Sequence, residues 1–167
     1  GSADPVLYGG IQNTFSWKGL RLSVYFAYSL GGKIYNYGEF YMSGGMYTNQ
    51  YRYMLDGWHP ERNPQSDKPR AGYTDVSLPS DFLIHDASYL RLKSLSLGYT
   101  LDFSRKAHSH LRDMTFTVAG DNLFLLKNYN GFDPDVSSQG TSSTLRRVDL
   151  GAYPKARTIT FSIQIRY

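Results

Sequence analysis

The chain closes on "ARTITFSIQIRY", residues 156–167. Every second side chain is apolar: Ile159, Phe161, Ile163, Ile165 and Tyr167. Between them stand Thr158, Thr160, Ser162, Gln164 and Arg166. Successive side chains of a β-strand point to opposite faces, so this spacing predicts a strand with one dry and one wet face.

Four further segments share the period. Ile11, Phe15 and Trp17 alternate with Gln12, Thr14, Ser16 and Lys18. Leu20, Leu22, Val24, Phe26, Tyr28 and Leu30 alternate with Arg21, Ser23, Tyr25, Ala27 and Ser29. In a third segment Leu90 and Leu92 start one phase, and Leu95, Leu97, Tyr99 and Leu101 continue in the other. The slip at Lys93-Ser94 reads as a β-bulge or as a change of environment along the strand. Met114, Phe116 and Val118 alternate with Thr115, Thr117 and Ala119. The predicted strands are about 9–18, 20–30, 88–101, 113–123 and 156–167.

The connections alternate in length. Lys18-Gly19 is a tight turn, and a modest link follows the third strand. The stretches of about 31–86 and 124–155 are long. Loops beyond about 15 residues are uncommon in compact domains. Bacterial outer-membrane barrels combine short periplasmic turns with long extracellular loops, and turn an apolar band outward. On that reading Met114, Phe116, Val118, Ile159, Phe161, Ile163, Ile165 and Tyr167 face lipid, and the C-terminus is periplasmic. Trp17, Tyr28, Tyr99 and Tyr167 fall near strand ends, where amphipathic rings favour the headgroup level. Five strands are an odd number. A closed up-and-down antiparallel barrel needs an even one, and no open edge survives in lipid, so these strands read as part of a larger barrel. A soluble β-sandwich carbohydrate-binding module is the alternative, because a sandwich strand also has one dry face.

Composition fits either reading. Aromatic residues make up 16% of the 167, with 15 tyrosines, yet mean hydropathy is −0.44 and no apolar run is long enough for a membrane helix. The net charge of +4 is scattered; its densest patch is Arg105, Lys106, His108, His110 and Arg112. Nucleic-acid binders gather their charge on one face, so no nucleic-acid partner is expected. The absence of cysteine rules out disulfides and thiolate chemistry.

Several blocks resemble the SusC/RagA-type TonB-dependent outer-membrane transporters. They are "YGGIQNTFSWKGLRLSVYFAYSLGGKIYN" (8–36), "DASYLRLKSLSLGYTL" (86–101), "GDNLFLLKNYNGFDPDV" (120–136) and "GAYPKARTITFSIQIRY" (151–167). The spacing of Trp58, Pro60, Asn63-Pro64 and Pro69-Arg70 also fits. The resemblance implies an all-β fold: the last five antiparallel strands of an about 22-stranded transmembrane β-barrel. It implies two long extracellular loops, a SusD-like surface lipoprotein as lid, coupling to the TonB complex, and import of oligosaccharides or peptides. It also implies that the plug, the TonB-engaging segment and the remaining strands lie outside this sequence, so this stretch forms no pore by itself.

Enzyme motifs are missing: there is no H-E-x-x-H, G-x-S-x-G or Walker sequence. His108-x-His110 lacks a third ligand nearby and reads as a solvated turn, so no metal and no cofactor are expected. Asp133-Pro134-Asp135 reads as a turn with aspartate capping local N–H groups. Tyr47, Tyr51, Met54, Leu55 and Trp58 recur at helical spacing and predict a short helix in the first long loop, stopped by Gly57 and Pro60. The loop aromatics Trp58, Tyr51, Tyr53, Tyr129 and Phe132 are the candidate contacts for ligand or lid, since rings offer large rigid surfaces.

Overall fold

The computed structural model describes residues 1–44, 49–70, 80–104, 110–136, 138 and 146–167. It contains β1 (Leu7–Trp17), β2 (Leu20–Leu30), β3 (Lys33–Asn36), α1 (Tyr37–Gly44), β4 (Ile84–Asp86), β5 (Tyr89–Asp102), β6 (Asp113–Lys127), β7 (Val148–Asp149) and β8 (Thr158–Arg166). Two compact units result: a sheet unit, Val6–Leu30, Ser88–Lys127 and Lys155–Tyr167, and a loop unit, Gly1–Pro5, Gly31–Ala87 and Asn128–Pro154.

The sheet unit is one antiparallel meander in the order β1-β2-β5-β6-β8. Its first turn is tight because both central residues take positive φ, Lys18 at 44° and Gly19 at 85°. Two positive φ values give a turn whose twist matches the strands it joins. The register carries one face across all five strands. Phe15 pairs with Leu22, Leu22 with Leu97, Leu97 with Val118, and Val118 with Phe161. Thr14, Ser23, Ser96, Ala119 and Thr160 form the matching row on the other face.

The phase slip in β5 is a bulge. Tyr25 pairs with Ser94 and Phe26 with Leu92, leaving Lys93 without a partner position on β2. That one extra residue returns Leu90 and Leu92 to the face of Leu95, Leu97 and Tyr99. On β6, Asn122 and Leu123 stand opposite the single Lys93, between Asp121 paired with Ser94 and Phe124 paired with Leu92. Asn122 takes φ 53° and donates from Nδ2 to the Ala156 carbonyl at 3.1 Å. Leu123 then lies over Gly120: a Cβ on that glycine would stand 2.8 Å from Leu123 Cδ1. Leu123 thus fills the gap left on the apolar face by the missing side chain.

That face is bare. Phe161 is 76% exposed and Trp17 69%, and Ile11, Phe15, Leu97, Phe116, Val118 and Ile163 are exposed as well. A β-sandwich buries such a face under a second sheet, so the sandwich alternative is set aside. The outer edges of β1 and β8 have no partner strand among the described residues.

In the loop unit, β3 is the centre of a small sheet in the order β4-β3-β7. It pairs antiparallel with β4, Ile34 opposite His85, and parallel with β7, Asn36 opposite Asp149. The two long connections are therefore stitched to each other. Ile34, Ala87 and Tyr129 form the core, with Val136 against it.

The helix of the first long connection lies upstream of its predicted position. Asn36 caps α1: its Oδ1 accepts the Glu39 N–H at 3.0 Å, and its Nδ2 donates to Glu39 Oε2 at 3.3 Å. This Asn-x-x-Glu arrangement makes the N-cap half of a capping box, a signal in the sequence that helical spacing alone does not carry. The predicted stripe over Tyr51, Met54, Leu55 and Trp58 becomes a single 3-10 turn, Arg52–Asp56, because Tyr51 is extended at φ −61°, ψ 142°. Tyr47, at the head of that stripe, lies outside the described residues, as do Arg105, Lys106 and His108 of the basic patch.

Candidate functional site: the loop unit

Glu39 is the hub on the α1 side. Its carboxylate is 4% exposed and receives Asn36 Nδ2, the Tyr53 hydroxyl and His85 Nε2. Burial, and then the hydrogen bond to Glu39, push the Tyr53 hydroxyl far above its ordinary range. The Tyr53 ring stacks on Tyr51 with centroids 5.3 Å apart, and Lys68 Nζ sits 5.5 Å above it. Lys68 also reaches Asp56 at 3.8 Å.

Asp149 is the second hub. Its Oδ2 accepts the Tyr129 hydroxyl at 2.7 Å, and its Oδ1 accepts the N–H groups of Gly151 and Ala152 at 2.9 and 3.0 Å. Desolvation and this carboxylate hold the Tyr129 phenol in its protonated form well beyond the ordinary range. Tyr129 is only 2% exposed. It is a core residue that offers no ring to a ligand, which corrects the expectation for this position. Gly131 follows from the same packing, since the Tyr129 ring occupies the space where a Cβ would project.

The other predicted contact residues lie nearer the surface. Phe132 is 69% exposed, Trp58 40% and Tyr51 36%, and Tyr53 is partly covered. Tyr51 and Trp58 line one cleft of about 670 Å³ together with Arg52, Arg62 and Arg70. Its wall is built by the turn-rich segment after Trp58. His59 Nδ1 accepts the N–H groups of Glu61 and Arg62, at 3.2 and 3.3 Å. Asn63 Nδ2 and Ser66 Oγ both donate to the Asp56 carbonyl, at 2.7 and 2.6 Å. The three arginines give no signal in the sequence, because they are spread from 52 to 70 and only the fold brings them to one cleft.

Among the described residues no group of three or more His, Cys, Asp or Glu could hold a metal ion. Asp133 is used locally: its Oδ1 accepts the Asp135 N–H at 2.9 Å, the capping expected of that turn.

An antiparallel meander that is apolar over one whole exposed face, with its long connections all leaving from one end, is a segment of a transmembrane β-barrel wall. Similar proteins agree. The TonB-dependent receptor P26 of Formosa agariphila is 32% identical over 174 residues, covering 100% of this chain and 17% of that protein. The TonB-dependent receptor SusC of Bacteroides thetaiotaomicron is 27% identical over 90 residues, 53% of this chain and 8% of that protein. Among solved structures, the RagAB peptide importer in its open-open state matches with a TM-score of 0.83 at 30% identity, covering 99% of this chain and 18% of that one. Its closed-closed state matches with a TM-score of 0.81 at 30% identity, over 98% of this chain and 17% of that one. No family model matches the chain. The chain belongs to the TonB-dependent receptors of the SusC/RagA type, and it spans 17% of the length of the first curated relatives it matches. These relatives are named as receptors and importers, not as enzymes.

Proposed function

We propose that this chain is part of the barrel wall, and of the outer loops, of an outer-membrane importer in a Gram-negative bacterium. The observation that carries the reading is the apolar face kept continuous through the Lys93 bulge. Strand length supports it. β1 and β2 have 11 residues each; at about 3.3 Å per residue and a tilt near 40°, such a strand spans an apolar band about 25 Å tall. Met114, Phe116, Val118, Ile159, Phe161, Ile163, Ile165 and Tyr167 face lipid, and Thr158, Thr160, Ser162, Gln164 and Arg166 face the lumen. The Lys18-Gly19 end and the C-terminus are periplasmic, and the loop unit is extracellular.

The imported substrate is an oligosaccharide or a peptide. Import draws on the TonB complex through parts of the receptor beyond this chain, and a SusD-like surface lipoprotein covers the outer mouth. Trp58, Tyr51, Tyr53 and Phe132 are the contacts with ligand or lid, as their exposure and the cleft of the first two suggest. Uptake of labelled oligosaccharide and peptide mixtures tests this in cells that carry the full-length receptor. Uptake that needs both the receptor and TonB is expected; uptake indifferent to the receptor's removal sinks the reading.

A further inference from the structure

The cleft beside Trp58 has a charge that the import reading leaves unexplained. Arg52, Arg62 and Arg70 line it, with Asp56 as its acidic residue. Asp56 is also engaged by Lys68 at 3.8 Å. The remaining accessible lining includes the rings of Tyr51 and Trp58. Guanidinium groups are planar forks that match carboxylate and sulfate oxygens two at a time. Exposed rings beside them give flat apolar surfaces of the kind that cover one face of a pyranose.

We propose that this cleft binds an acidic oligosaccharide, its carboxylate or sulfate groups held by Arg52, Arg62 and Arg70 and a sugar ring lying on Trp58. The inference rests on the importer reading and narrows its substrate class. Flat rings lining an open cleft favour a sugar over an acidic peptide. The cleft wall is fixed before any ligand arrives, because Asn63, Ser66 and His59 tie the turn to its own backbone. Prior ordering of that kind lowers the entropy lost on binding.

The test uses the purified full-length receptor in detergent, with calorimetric titration of an oligogalacturonate, a chondroitin sulfate oligosaccharide, neutral maltohexaose and a hexaglutamate peptide. One or both acidic sugars should bind more tightly than maltohexaose and the peptide. Arg52→Gln with Arg62→Gln should weaken the acidic sugar at least about tenfold, as should a rise in salt. Trp58→Ala should weaken it while leaving its salt dependence in place. Preference for maltohexaose or for the peptide overturns the proposal, as does unchanged acidic-sugar affinity in the double arginine variant. Outer-membrane assembly of each variant is followed in parallel. A receptor that assembles but ignores acidic sugars refutes the cleft inference alone, whereas a wild-type receptor absent from the outer membrane refutes the importer reading beneath both.

Discussion

Phe161 on β8 stands directly opposite Val118 on β6, and both are exposed, at 76% and 45%. Cross-strand partners share one face of a sheet, so whatever covers one covers the other. Lipid suits both. Phe161→Arg in the full-length receptor should cost about 2–4 kcal/mol of barrel stability if the position lies near the bilayer midplane. Thr160→Arg, on the opposite face proposed for the lumen, should cost far less. Heat-modifiable mobility on gels, read against urea concentration, measures the difference, and equal losses for the two would argue against these faces.

Lys93 offers a sharper test of register. Deleting it removes the extra residue of β5 and turns Leu90 and Leu92 toward the polar side of the sheet. A leucine moved from an apolar to an aqueous setting costs about 1.5–3 kcal/mol. The deletion should sharply reduce the amount of assembled receptor in the outer membrane, while Lys93→Ser, which keeps the count, should assemble normally. Equal assembly of deletion and parent would show that the bulge has no such role.

In the loop unit, Glu39→Gln takes away a buried charge that receives Asn36, Tyr53 and His85. An unmet buried donor costs about 1–3 kcal/mol. Backbone amides of β3 and α1 should therefore exchange with deuterium about tenfold faster or more in the full-length variant, with the barrel strands unchanged. Unchanged exchange in β3 and α1 would remove Glu39 from its place as hub.

Tyr129 carries a pH dependence. Its phenol is raised by burial and then by Asp149 from an ordinary value of 10.0. Below about pH 10 both the folded and unfolded chains hold the proton, and the full stabilisation is present. Above it the unfolded chain ionises first, so the loop unit loses stability as pH climbs toward the raised folded value. In an alkaline titration, the difference between wild type and Tyr129→Phe should show no phenolate absorbance near pH 10, and then a late rise as the loops open. A normal phenolate step near pH 10 would mean that this ring is not buried.

Much of the sheet was legible because its signal is local. Period-two alternation gives strands, and a phase slip at Lys93 points to a bulge. β6 hid its upper end, since the run Leu123-Phe124-Leu125-Leu126 has no alternation; the positive φ of Asn122 is what carries the strand on to Lys127. The small sheet was illegible for a different reason. β7 is two residues long, and its parallel pairing with β3 joins positions more than a hundred residues apart. Distance in sequence also hid the burial of Tyr129, which depends on Asp149 and Ile34 rather than on its immediate neighbours. The arginine cleft needed the turns around His59 and Asn63 before its charges could be counted together.

The central claim is that β8 has lipid on one side and the lumen on the other. This chain has no cysteine, so in a full-length receptor cleared of any cysteine elsewhere, single cysteines introduced into it report their own surroundings. Six full-length variants, from Thr160→Cys through Ile165→Cys in order, can be probed in outer membranes with a water-soluble, membrane-impermeant thiol reagent. Labelling that alternates, with Thr160→Cys, Ser162→Cys and Gln164→Cys reactive and Phe161→Cys, Ile163→Cys and Ile165→Cys protected until detergent is added, is the expected result. Uniform labelling at all six positions, or the reverse alternation, would contradict it.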